Sequence, residues 1–94
     1  MSTLPKLTPQ QEVEMAERGA EVLKNPAFVR AVNLMQNAYT DAWRATATDD
    51  TAARELLFVK ASVLDEIVSQ LGAIIGTGKI TAAQLAAMPV RPLR

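Results

Sequence analysis

An all-α fold, an antiparallel helical hairpin with an N-terminal helical arm and a short C-terminal helix, is what this sequence predicts. Three observations predict it. Apolar residues recur every three and four positions, proline and cap-type residues mark the starts of segments, and the 94 residues include only four aromatics among 49% apolar residues. A core of Ala, Leu, Val, Ile and Met suits helix packed on helix. The whole reads as a single helical domain over 1–94, with a flexible N-terminus at 1–8, an arm helix at 9–25, a hairpin at 26–76, a short helix at 81–88 and an extended tail at 89–94.

The first helix starts at Thr8-Pro9-Gln10-Gln11. Thr8 serves as N-cap, Pro9 occupies the first turn where its missing N–H costs nothing, and Gln11 completes a capping box. Glu12, Glu14, Glu17 and Glu21 suit the positive end of the helix dipole, and Glu14 is placed to pair with Arg18. Val13, Ala16, Ala20 and Leu23 form a narrow apolar stripe weakened by Gly19, which predicts a loosely held arm running to about Lys24. Asn25-Pro26 repeats the start signal, so the chain bends or begins a new helix there, and a kink is expected.

From Pro26 to about Thr46, Phe28, Val32, Met35, Tyr39 and Ala42 share one side, while Arg30, Asn33, Asn37, Asp41 and Arg44 recur on the other. That is an amphipathic helix. Ala45 to Asp50 breaks the pattern with cap-type residues, and Asp49 and Asp50 suit the N-terminus of a following helix, so the chain turns back. Leu57, Val63, Leu64, Ile67, Val68, Leu71, Ile74 and Ile75 then define a broad apolar face, which Gly76-Thr77-Gly78 is expected to end. At about 1.5 Å per residue the two main helices measure roughly 30 and 37 Å, a match in length for lying side by side. Thr81-Ala82-Ala83-Gln84 opens the short last helix, and Pro89 and Pro92 forbid its continuation.

Charge and composition exclude several functions. Ten basic side chains balance ten acidic ones, so no strong field attracts polyanions, and nucleic acid is disfavoured as a partner. Cysteine and histidine are both absent, which removes disulfides, thiolate nucleophiles, the usual zinc ligands and the commonest general base at neutral pH. No catalytic residue, cofactor or metal is expected. No apolar run approaches the roughly eighteen residues of a membrane span, and no leader is recognisable at the N-terminus, so cytoplasmic synthesis is the expectation.

Gly76-Thr77-Gly78-Lys79 superficially resembles a phosphate-binding loop. That motif requires an earlier glycine where Ala73 stands, a hydroxyl where Ile80 stands, and a strand before it. A glycine C-cap and turn is the expected reading. Asp49-Asp50 and Asp65-Glu66 are adjacent carboxylates, which do not face each other on a helix, and they read as cap and solvated surface.

The candidate site residues are therefore protein-binding ones. Phe58 points the same way as Glu55, Ser62, Asp65 and Ser69, in a stripe that should be solvated, where an aromatic is either a single exposure or an anchor for another chain. Trp43 and Tyr39 sit at the margin of their helix's apolar face, with core packing as the simpler role. Val29 and Leu34 lie off that face, which adds apolar surface on more than one side. Arg91 and Arg94, with Lys79, make the end of the chain mildly basic, and a docking tail or a frayed end follows.

The runs Leu23-Lys24-Asn25-Pro26-Ala27-Phe28, Tyr39 to Thr46, Asp50 through Arg54-Glu55-Leu56, and Gly78-Lys79 resemble small helical-hairpin proteins encoded by tailed bacteriophages and prophages among head, portal and packaging genes. The resemblance covers about residues 20 to 80 and carries no active-site residue. It implies a structural or assembly role through protein contacts, as a homo-oligomer or with a larger head, portal or tail subunit, in the host cytoplasm during assembly and in the virion. Two other readings stay open: a DNA-packaging subunit similar to small terminases, though no basic recognition helix is recognisable, and a small phage inhibitor of a host protein.

Overall fold

The computed structural model describes residues 4–88 and contains three helices, α1 (Pro9–Lys24), α2 (Pro26–Ala45) and α3 (Thr51–Ala87), with no strand among the described residues. Proline sets three of the boundaries. A residue that precedes proline is pushed out of the helical region, and Thr8, Asn25 and Met88 are all extended, at φ/ψ of −71/160°, −66/120° and −64/128°. The capping box at Thr8 and Gln11 forms as the sequence predicts, with each side chain accepting from the other's backbone N–H.

At Asn25 the chain does not kink; it stops one helix and starts another. Asn25 Oδ1 accepts from the backbone N–H of Ala27 and Phe28 at 2.9 and 3.2 Å, a complete N-cap for α2. The turn at 46–50 reverses the chain, and Asp50 caps α3 by accepting from Ala53 N–H at 3.1 Å.

Helix α3 is the main correction. The sequence predicts a stop at Gly76-Thr77-Gly78 and a separate helix at 81–88, whereas α3 runs unbroken through 37 residues to Ala87. A glycine C-cap needs positive φ, and no glycine has it among the described residues. Glycine within a helix costs about 1 kcal/mol relative to alanine, which packing against a neighbour can offset. That neighbour is α1. It runs antiparallel to the C-terminal half of α3 and makes far more extensive contact with it than α2 does. The expected loosely held arm is instead the best-packed element of the fold. The hairpin consequently has α3 as one limb and α1 followed by α2 as the other, rather than two matched helices over 26–76. The proposed tail, 89–94, lies outside the described residues.

Small residues make the α1–α3 contact possible. A Cβ on Gly78 would overlap Cβ of Ala16 and lie 2.7 Å from the Glu12 carbonyl oxygen; a Cβ on Gly19 would lie 3.3 Å from Cγ1 of Ile75. Ala16 and Thr81 are buried at 7% and 8% exposure, and the Thr81 hydroxyl donates to Oε2 of Glu12 at 2.5 Å, locking the two helices across the seam. Farther along, Leu64 is buried at 6% exposure; among the described residues it is the one large apolar side chain that is buried, and none is fully buried.

Gly78→Ala should therefore destabilise the fold by about 1–3 kcal/mol, because overpacking at a close helix contact forces the backbones apart. Gly72→Ala meets nothing within 4 Å and should stabilise it by about 0.5–1 kcal/mol through helix propensity. Urea unfolding followed by circular dichroism separates the two. A stabilising Gly78→Ala would show that the helices do not meet at this notch.

Candidate protein-binding surface

Helix α2 shares little backbone proximity with α3 although it is longer than α1. The side chains between them explain the separation. Phe28, Val32 and Tyr39 of α2 and Leu57, Ala61 and Val68 of α3 are the half-buried residues here, and bulky contacts hold helix axes farther apart than Gly and Ala do. The hairpin widens from the Gly78 end toward the turn, and a groove opens on one side of it.

That groove, of about 490 Å³, is lined by Gln36, Tyr39, Thr40, Trp43, Leu57, Phe58, Ala61 and Asp65. Three of the residues singled out from the sequence meet here. Phe58 is 70% exposed, Trp43 is exposed and Tyr39 is half-buried. The ends of the groove are stiffened near the turn: the Arg54 guanidinium stacks 4.2 Å above the Trp43 ring, its Nε donates to Thr46 Oγ1 at 2.9 Å, and that hydroxyl donates to the Trp43 carbonyl at 2.6 Å. A stacked arginine holds the indole in one orientation and leaves its other face free for an apolar partner.

Val29 and Leu34 do not join this groove. They flank the outer side of α2, in a shallow depression with Lys24, Pro26, Arg30, Asn33 and Asn37, and both are exposed. Arg91 and Arg94 lie outside the described residues, and Lys79 is exposed on α3. Gly76-Thr77-Gly78-Lys79 is helical, so its amides are engaged within the helix rather than gathered into a loop that could cradle phosphate.

A second apolar surface was hidden within the broad face that the sequence displays. Counting about 100° per residue, Leu57, Leu64, Val68, Leu71 and Ile75 form the row that meets α1 and α2. Val63, Ile67 and Ile74, which the sequence places in the same face, instead join Leu56 and Val59 in a row turned roughly 100° away, whose Ile74 end borders α1, its Cγ2 lying 3.8 Å from where a Cβ on Gly19 would stand. All five are exposed. Ile74 shares a depression with Met15 and Leu7 of the N-terminal region, so the row extends across onto α1. The available signal was the width of the apolar arc on α3, about 140°, which is more than one limb of a hairpin can cover.

Among the described residues, no group of three His, Cys, Asp or Glu side chains is placed to hold a metal ion. Likewise no described helix is long and apolar enough to cross a membrane. No family model, curated protein or solved structure matches the chain.

Arg54→Ala should leave the helices formed and cost about 0.5–1 kcal/mol from loss of the stacked cation. It should also shift the emission of Trp43, the single tryptophan of the chain, to the red as water reaches the freed ring face. Unchanged tryptophan emission would mean that Arg54 does not hold the indole in solution.

Proposed function

We propose that this chain is a non-enzymatic structural or assembly protein of a tailed bacteriophage or prophage, acting through helix-mediated contacts with other protein chains. One observation carries the reading. The molecule leaves more surface uncovered than its size requires. Its accessible surface is 7923 Å², against about 5,300 Å² for a compact monomer of its mass. Its radius of gyration is 19.8 Å, against roughly 12 Å for a compact domain of this length. Much of the uncovered surface is apolar, on both sides of the hairpin, and large exposed apolar patches mark interaction sites.

The phage role comes from the resemblance of residues 20 to 80, and the geometry supports a mechanical role for it. A stiff rod about 75 Å long, presenting an aromatic groove at its turn end, can bridge or clamp larger subunits. Tyr39, Trp43 and Phe58 would supply the anchor, since aromatic side chains in a desolvated groove concentrate binding energy.

Particles and assembly intermediates, fractionated on a density gradient from cells producing the phage that encodes the chain, should contain it at a fixed ratio to a head, portal or tail subunit. Phe58→Ser should preserve helicity by circular dichroism and lower that ratio at least tenfold, as expected for loss of a central aromatic anchor. Absence of the wild-type chain from both particles and intermediates would overturn the assembly role. Full incorporation of Phe58→Ser would remove the groove from it.

A further inference from the structure

We infer that the exposed row on α3 is a two-fold interface for a second copy of this chain, packed antiparallel, α3 against α3. It deepens the assembly reading by naming what covers one face, and it concerns the side of the hairpin away from the Phe58 groove.

The row is Leu56, Val59, Val63, Ile67 and Ile74, continued onto α1 by Met15. Ile67 is 51% exposed and typical of the set. Its spacing is the first argument for a second copy. Four of the five, Leu56, Val63, Ile67 and Ile74, stand at intervals of seven, four and seven residues, which read the same in both directions; Val59 falls opposite no other member of the row. An antiparallel copy related by a two-fold axis at the level of residue 65 sets Leu56 opposite Ile74 of the second copy, and Val63 opposite its Ile67. An isologous interface requires such self-complementarity, and a foreign partner would not.

Area is the second argument. The surface in excess of a compact monomer, about 2,600 Å² per chain, exceeds the roughly 1,000–2,500 Å² per partner that an obligate dimer buries. The contact from Leu56 to Ile74 spans about 27 Å of straight helix, long enough for a shallow crossing of the kind seen in helical bundles. Charge is the third. Between Glu66 and Lys79 α3 carries no charged side chain, so this half of the row offers a partner apolar shape and the Gln70 amide but no charge. In the paired arrangement Gln70, the polar residue within the row, comes level with Lys60 of the second copy, whose ammonium can donate to the Gln70 amide oxygen.

Light scattering on a size-exclusion column should give twice the 10.2 kDa chain mass at high micromolar concentration. Ile67→Asp should halve that mass with helicity unchanged, because the residue is half exposed in the single chain. The sequence contains no cysteine, so direction can be read by crosslinking. A mixture of Val63→Cys and Ile67→Cys chains should form a mixed disulfide under mild oxidation, while Leu56→Cys alone should not crosslink to itself, its two copies lying about 27 Å apart along the axis.

A monomeric wild type would overturn the interface. So would a dimer indifferent to Ile67→Asp, or self-crosslinking of Leu56→Cys, which would signal parallel chains. A monomer that still enters particles would sink this inference and spare the assembly role; a dimer absent from particles would do the reverse.

Discussion

The close approach of α1 to α3 at Gly78 is the contact on which the rest of the fold depends. There the Ala16 Cβ and the Glu12 carbonyl occupy space that any side chain at 78 would need. The two backbones can approach closely because neither contributes bulk at the crossing, and Thr81 closes the seam with a hydrogen bond to Glu12. From this contact follow the continuity of α3 through Gly78 and the direction in which the first limb leaves the seam.

The far end of the hairpin obeys the opposite rule. Aromatic and branched side chains stand between α2 and α3, so the limbs are held apart by what they pack. Small residues at one end and large ones at the other produce a taper. Its open end is the groove of Tyr39, Trp43 and Phe58. Arg54, anchored on Thr46 and stacked on Trp43, gives that end a defined shape despite its thin core. A chain of this length has too little interior to bury every large apolar side chain, and a hairpin one layer thick has less still.

Three of the four expected helix starts were legible because their causes are local; the same pattern at Thr81 opens no helix, since Thr81 lies inside α3 and its hydroxyl donates to Glu12. Thr8 with Gln11, Asn25 before Pro26, and Asp50 before Thr51 each satisfy free N–H groups with a side chain a few residues away, and no distant contact is needed to recognise them. The grouping of Phe58, Trp43 and Tyr39 was only half legible. Each could be singled out by its position on a helix wheel, but that Phe58 of one limb faces the other two across a groove depends on the register between limbs. Val63, Ile67 and Ile74 were grouped in one broad apolar face with the residues that pack, and Leu56 and Val59 were not singled out, because a wheel shows how wide an apolar arc is and not how much of it a neighbour covers.

What the sequence alone determined is the number and polarity of its local signals: all-helical structure, three N-terminal caps, a reversal at 46–50 and the absence of histidine and cysteine chemistry. What only the tertiary structure decided is the meaning of its glycines and the fate of its apolar surface. Gly76 and Gly78 carry the same local preference for ending a helix wherever they stand. Here α1 packs against Gly78, while a Cβ on Gly76 would meet nothing within 4 Å; the packing energy at Gly78 exceeds that preference, and a stop signal becomes a notch. Packing energy of that kind comes from residues sixty positions away in the chain, which no local pattern records.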